Sequence, residues 1–356
     1  MNERIPVAVL GATGSVGQRF VQLLEGHPWF EVVAVTGSER TVGGLYGEAC
    51  RWVLTEPMPE RVRSLPVLAS DPQLAQVPLV FSALPAELAR ELEPRFAAAG
   101  TVVCSNASAF RTEADVPLLL PEVNPEHIAL VHIQRARRGW AGAIVTNPNC
   151  TSTGLTVALK ALQQAFGVRR VFAVSLQALS GAGYPGVASL DIMDNVIPYI
   201  GGEEAKVEWE PRKILGRLED GQVVLADLAI SAHTNRVAVH DGHTVCASLE
   251  LEHPAPLEDV QQALETYQAP PQARCLPSAP QPPIVVRREP DRPQPRLDRW
   301  TGKGMSTVVG RLRPDPLFHV KLVVLSHNTV RGAAGGSIYN AELLLSQGMI
   351  DKRGVL

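Results

Sequence analysis

Ile5-Pro-Val-Ala-Val-Leu-Gly-Ala-Thr-Gly-Ser-Val-Gly17 is the stretch that decides the fold. Ile5 to Leu10 is a short apolar strand, and glycines at 11, 14 and 17 follow it at once. The chain then enters a helix with Val16, Phe20, Leu23 and Leu24 on one face. Glycines so spaced allow a tight turn and a close approach of backbone to a pyrophosphate, and the helix N-terminus attracts the anion. Residues 31–36 read as the next strand and complete a βαβ unit. Apolar runs at 79–84 and 101–104, with a helix over 86–99 between them, continue the alternation and predict a parallel, doubly wound sheet. Pro94 is expected to kink or split that helix.

The second strand ends in Thr36-Gly-Ser-Glu-Arg-Thr41. Sites specific for NAD place an acidic residue here to bond the ribose hydroxyls. Two hydroxyls and an arginine suit a 2′-phosphate instead, so NADP(H) is the expected cofactor, although Glu39 is a carboxylate that fits NAD. The expected cofactor contacts are Gly11, Thr13, Gly14, Ser15, Val16 and Gly17 in the turn. Ser38, Arg40 and Thr41 follow the second strand, and Ser82 lies in the third apolar run.

Beyond residue 150 the pattern changes. Runs at 171–179, 236–240, 244–251, 307–312 and 319–325 look like strands with longer connections between them. Val245, Ala247, Leu249 and Leu251 alternate with more polar residues, as in a sheet with one wet face. An α+β second domain with a mixed or antiparallel sheet follows. Nine prolines crowd residues 270–295, which fits a flexible linker and a long ordered excursion alike. Residues 333–347 read as a final helix. The domain expectation is a nucleotide-binding unit of 1–149 and 329–356, with a catalytic and self-associating unit of 150–328.

Between the two units lies Asn147-Pro-Asn-Cys-Thr-Ser152, a cysteine where a turn opens into a helix over 153–166. Asn149 is a natural N-cap, and Pro148 discourages an earlier start. A sulfur at that end meets unpaired N–H groups and the positive pole of the helix, so Cys150 is expected to be a thiolate. A reactive thiol beside a redox cofactor suggests an aldehyde or acyl oxidoreductase.

Composition narrows the alternatives. The chain has 356 residues, 45% of them apolar and 19% charged, enough for ordinary cores in about two domains. A formal net charge of −3 gives no electrostatic reason to expect nucleic acid or a membrane as partner. The cysteines at 50, 104, 150, 246 and 275 are scattered without metal-binding spacing, so neither a disulfide framework nor a metal site is expected. The N-terminus reads as a strand rather than a signal peptide, and no apolar run approaches the roughly 20 residues of a membrane span. A soluble, cytoplasmic protein is the expectation.

Several segments together resemble the aspartate-β-semialdehyde dehydrogenase family, in particular its archaeal and fungal branch. They are Gly-Ala-Thr-Gly-Ser-Val-Gly (11–17), Ser-Asn-Ala-Ser-Ala-Phe-Arg (105–111) and Asn-Pro-Asn-Cys-Thr (147–151). Further on come Gln-Ala-Leu-Ser-Gly-Ala-Gly-Tyr-Pro-Gly (177–186), Gly-Gly-Glu-Glu-Ala-Lys (201–206), and Arg236 followed by Asp-Gly-His-Thr at 241–244. Arg-Pro-Gln-Pro-Arg-Leu-Asp-Arg (292–299) and Asn-Thr-Val-Arg-Gly-Ala-Ala-Gly-Gly (328–336) complete a likeness that spans nearly the whole chain. It favours an ordered proline-rich segment.

The resemblance implies NADP-linked interconversion of aspartyl phosphate and aspartate semialdehyde through a thioester on Cys150. It implies that His243 is the acid/base residue; strand alternation alone favours His240, which would share a face with Arg236. Gln177 would orient the acyl group, Arg236 would clamp the substrate carboxylate, and Arg111 and Lys206 would take the phosphate. Asn149 would line the substrate site, and Glu203 would take the substrate ammonium. Glu203 and Lys206 also look like an ordinary surface ion pair. Ser180 and Gly181 would let backbone approach the nicotinamide, or form a simple turn. Asn328 would contact the nicotinamide amide, cap the helix after it, or both. Inorganic phosphate is the implied second substrate, and a homodimer or homotetramer the implied assembly. Two other readings stay open, a malonyl-CoA reductase of the same plan and a non-catalytic NADP-binding sensor.

Overall fold

A computed structural model of the chain describes residues 4–350; the parts of the expected domains at 1–3 and 351–356 lie outside the described residues. The first sheet contains β1 (Ile5–Leu10), β2 (Phe30–Thr36), β3 (Val67–Leu68), β4 (Leu79–Ser82), β5 (Val102–Ser105) and β6 (Ala143–Thr146). Its order is β3-β2-β1-β4-β5-β6 with every pairing parallel, the doubly wound sheet expected from the alternating pattern. Helix α1 (Ser15–Leu24) buries Phe20 against Phe81, with ring centroids 5.0 Å apart. Helix α2 (Ala86–Ala98) continues through Pro94 and is not split there. Glu93, Phe96 and Ala97 are buried on both sides of the proline, and that packing outweighs a lost backbone hydrogen bond.

Helix α3 (Leu130–Arg138) precedes β6, and helix α4 (Cys150–Phe166) begins three residues earlier than its apolar stripe suggests. The second sheet is mixed. It holds β7 (Val168–Gln177), β10 (Ala229–Arg236), β11 (His243–Leu251), β12 (Ile284–Val286), β13 (Thr307–Pro314) and β14 (Val320–Ser326); β8 (Arg217–Glu219) and β9 (Gln222–Val224) form a separate hairpin. The order is β10-β7-β11-β14-β13-β12, parallel at β10/β7 and β12/β13 and antiparallel elsewhere. Val245, Ala247, Leu249 and Leu251 face a core shared with Leu155, Leu159 and Leu162 of α4, while Cys246 on the other face is exposed. Helix α5 (Glu203–Ile214) packs against β10 and α4, and helix α6 (Leu257–Glu265) against α4 and β12.

One expectation fails in this half, and one open question is answered as the resemblance implied. Residues 236–240 are not a strand: Arg236 ends β10, and the chain turns through Gly242 at φ +102° before β11. The proline-rich segment is no linker. It contributes β12 and is held by the buried carboxylate of Asp298, which accepts from Arg287 Nε at 2.9 Å, Arg292 Nε at 2.6 Å and the Gln294 N–H at 2.7 Å.

Helix α7 (Gly335–Ser346) returns to the first core, where Ile338, Leu343 and Leu344 join Phe20 and Phe81. Just before it, fully buried Arg331 donates through Nε to Glu122 at 2.9 Å. No helix among the described residues is long and apolar enough to cross a membrane. Removing one member of a buried ion pair strands the other charge, so Arg331→Met is expected to cost about 3–5 kcal/mol in chemical denaturation. Adding Glu122→Gln should recover much of that loss; an Arg331→Met protein as stable as the parent would show that the pair carries no such weight.

Candidate active site

Asn149 caps α4, its Oδ1 accepting from the N–H groups of Thr151 at 2.9 Å and Ser152 at 3.2 Å. Its Nδ2 donates to both oxygens of Glu203, at 3.0 and 2.8 Å, and its backbone N–H donates to Glu210 Oε2 at 2.6 Å. Two carboxylates from α5 therefore pin the turn that presents Cys150. Across from it Gly332 lies so close that a Cβ there would fall 2.7 Å from Cys150 Cβ.

Cys150 Sγ is 3.1 Å from His243 Nε2. His243 is the first residue of β11, and its Nδ1 accepts from the Ala178 N–H at 3.1 Å. With Nδ1 used as acceptor, the neutral ring carries its proton on Nε2, facing the sulfur. Burial pushes the Cys150 thiol up to about 12; the Glu203 carboxylate adds to the rise, while Arg111, Arg236 and the residue's own N–H oppose it. Cys150 is half-buried, and contact with the cavity tempers that rise. Burial likewise holds His243 down, to about 3, with Arg236 acting in the same sense. Both shifts favour thiol and neutral imidazole in the ligand-free site. They run against the expectation of a standing thiolate, because desolvation around this sulfur opposes the pull of the helix N-terminus.

A cavity of about 280 Å³ brings together Cys150, Asn149, Gln177, Arg111, Glu203, Lys206 and Arg236, along with Ser180, Gly181 and Asn328. Arg236 pairs in register with Gln177 at the ends of β10 and β7, and its Nη1 donates to the Ala178 carbonyl at 2.7 Å. Gly181 closes over both: a Cβ there would lie 2.8 Å from Arg236 Nη1 and 3.0 Å from His243 Cε1. Glu203 is buried, not a surface residue. Lys206 Nζ donates to it at 2.8 Å and Gln177 Nε2 at 3.4 Å. Burial alone would raise its carboxyl, but Lys206, Asn149 and Gln177 outweigh that and hold it below its ordinary value. His240 is exposed and bonded to Asp241, away from the sulfur.

A second cavity of about 270 Å³ shares Ser180, Gly183 and Thr329 with the first and reaches Ser15 and Arg19 of α1. The glycine turn beside it fits a dinucleotide. Gly11 has φ +68°, and a Cβ on Gly17 would strike the Gly11 carbonyl at 2.3 Å. No side chain caps α1, so its first N–H groups remain for an anion; Gly14 is the N-cap, with Thr13 before it and Val16 in the first turn. Ser38 and Arg40 are exposed beyond β2, and Thr41 Oγ1 donates to the Ser38 carbonyl at 2.9 Å. These three line neither cavity. Ser82 is fully buried beside Glu93, whose carboxyl accepts from Ser105 Oγ at 2.6 Å, so its side chain is not brought to the groove. Asn328 caps no helix. It donates to Ser180 Oγ at 2.8 Å and accepts from the Gly242 N–H at 2.8 Å, which joins the Ser180 loop to the turn before His243.

Sequence reasoning missed Glu210, Ala178 and Gly332. Glu210 had a legible signal, since it lies seven residues after Glu203 on the same helical face. The Ala178 N–H had none, because any residue other than proline supplies one.

A thiol–imidazole pair between a dinucleotide-type sheet and a cation-rich cavity defines an acyl-transferring dehydrogenase. The semialdehyde dehydrogenase NAD binding domain matches residues 6–131, and the semialdehyde dehydrogenase dimerisation domain matches residues 159–331. Aspartate-semialdehyde dehydrogenase of Archaeoglobus fulgidus is 51% identical over 347 residues, covering 98% of this chain and 100% of that one. The Schizosaccharomyces pombe enzyme of the same name is 45% identical over 352 residues, covering 97% and 99%. The crystal structure of the Candida albicans enzyme with NADP superposes with a TM-score of 0.89 at 43% identity, covering 98% and 100% of the two chains. Aspartate semialdehyde dehydrogenase II of Vibrio cholerae, complexed with ASA, gives 0.76 at 28% identity, covering 97% and 99%. The chain belongs to the aspartate-semialdehyde dehydrogenase family.

A resting thiol has a measurable consequence. Alkylation of Cys150 by iodoacetamide in the ligand-free protein, followed by peptide mass mapping, is expected to keep accelerating above pH 9. Glu203→Gln removes a neighbouring negative charge and should shift that profile to lower pH. A rate that levels off by pH 8 in the parent would mean that the thiolate stands ready in the free enzyme.

Proposed function

We propose that the protein catalyses the NADPH-dependent reductive dephosphorylation of L-aspartyl-4-phosphate to L-aspartate-4-semialdehyde, and the reverse reaction. The reaction runs through a thioester on Cys150 and feeds lysine, threonine, methionine and isoleucine biosynthesis. The observation that carries the reading is the 3.1 Å contact of Cys150 and His243 at a cavity holding Arg111, Lys206, Arg236 and a buried Glu203.

Arg236 takes the substrate carboxylate, Glu203 the ammonium, and Arg111 with Lys206 the phosphoryl group. Cys150 attacks the acyl carbon, the bond to the phosphate oxygen breaks, and the thiol proton leaves with the departing hydrogen phosphate. A sulfur nucleophile divides one difficult transfer into two easier ones. NADPH, when bound, supplies the hydride that reduces the thioester. Charge then gathers on the acyl oxygen, where the Gln177 amide and His243 Nε2–H are the available donors. As the carbon–sulfur bond breaks, the Nε2–H stabilises the departing sulfur and the aldehyde is released.

Gly11, Thr13, Gly14, Ser15, Val16 and Gly17 hold the pyrophosphate of NADP(H), while Ser38, Arg40 and Thr41 face its 2′-phosphate and Ser180, Gly181 and Asn328 frame its nicotinamide. Ser82 contributes backbone at the most. Residues 1–149 and 329–356 form the NADP-binding unit and 150–328 the catalytic and dimerisation unit; the place of Ile338 and Leu344 in the first core supports this. The match to a dimerisation domain supports self-association, as a homodimer or homotetramer. The enzyme works in the cytoplasm. A malonyl-CoA reductase would have no use for a buried carboxylate beside the nucleophile, and a sensor none for the thiol–imidazole pair.

Incubation with aspartate semialdehyde and NADP should give phosphate-dependent absorbance of NADPH, with NAD a much poorer acceptor. Cys150→Ala is expected to abolish turnover, and its ordinary activity would end the proposal. His243→Asn should lower kcat by roughly 10²–10⁴.

A further inference from the structure

Charged side chains at 203, 206, 210 and 213 of α5 recur at spacings of three and four, and so share one face of the helix. Glu203 and Lys206 belong to the substrate cavity. Glu210 and Lys213 lie deeper, 2% and 3% exposed, and the reaction as derived above makes no use of either. We infer that Glu210 is a positioning residue, which sets Arg111 for phosphate and ties it to the turn that carries the nucleophile. The inference rests on the reading of Arg111 as the phosphate-binding arginine.

Glu210 Oε1 accepts from Arg111 Nη1 at 2.7 Å, and its Oε2 accepts from the Asn149 N–H at 2.6 Å. Both partners are donors, so the residue must offer two acceptors and no hydrogen. A carboxylate does so; an amide has to turn its NH₂ toward one of them. Arg111 Nη2 is also used, donating to the Asn106 carbonyl at 2.8 Å, whereas its Nε is buried without a partner. Lys213 sets the backbone of the same segment, its Nζ donating to the carbonyls of Arg111 at 2.8 Å, Glu113 at 2.8 Å and Val116 at 3.0 Å. One helix of the second half thus fixes side chain and main chain of an arginine that belongs to the first.

The test is a double-mutant cycle on phosphate in the oxidative direction, with NADP KM as internal control. Arg111→Ala should raise the phosphate KM. Glu210→Gln should raise it about tenfold or more, the effect of losing one hydrogen bond to a charged group, with the NADP KM unchanged. The double variant should be no worse than Arg111→Ala, because Glu210 acts through that arginine. Lys213→Met should show the same selective loss, which keeps the test decisive if Glu210→Gln folds poorly. Additive effects of the two substitutions, or a Glu210→Gln enzyme that loses kcat with phosphate KM unchanged, would overturn the positioning role. A phosphate KM that does not move in Arg111→Ala would overturn the assignment of phosphate to Arg111, and this inference with it.

Discussion

The site depends on how Asn149 is held. This residue leaves the last strand of the first sheet, caps the helix that lies under the second, and is gripped by Glu203 and Glu210 of a third element. An N-cap side chain normally satisfies orphan N–H groups and does nothing more. Here Oδ1 does that while Nδ2 and the backbone N–H are committed elsewhere, which leaves the turn little freedom to move. The direction of the Cys150 side chain follows from that restraint. So does its distance to His243, which is itself fixed by the Ala178 N–H just beyond β7, at the same end of the second sheet.

The elements that periodicity could reach were the ones with an apolar face to bury. β1, α1, β2 and the alternating strand β11 were legible because burial imposes a period on their sequences. Residues 236–240 misled the reading for a related reason: Val237-Ala-Val239 is a short apolar run between Arg236 and His240, yet it lies in a connection whose geometry is set by Gly242 and by Asn328, 86 residues on in the chain. At Pro94 the helix is not split, since local propensity yields to packing on both sides of the ring. The order in residues 270–295 was invisible to composition because Asp298, three residues beyond the segment, supplies it.

Of the site, the residues brought to the cavity were legible chiefly through the family resemblance, and their charge balance was not. A cysteine at a helix N-terminus reads as a thiolate when only the helix is considered. Folding places the same sulfur among desolvating walls and beside a carboxylate, and both come from long-range contacts that no local motif encodes.

The buried Glu203 then needs a reason. It opposes ionisation of Cys150, and burying a carboxylate carries its own cost even with Lys206 and Asn149 as partners. Such an arrangement makes sense where the missing charge arrives with the ligand. A substrate ammonium at Glu203 would offset the anion that raises the thiol and leave the pull of Arg111, Arg236 and the helix N-terminus unopposed. Ionisation of Cys150 is on this view coupled to occupancy: a free enzyme with a protonated sulfur resists oxidation and stray acylation, and the proton is given up only when the acyl carbon is at hand. The same carboxylate would reject an acyl substrate that lacks the amino group, so activation and selectivity would rest on one residue.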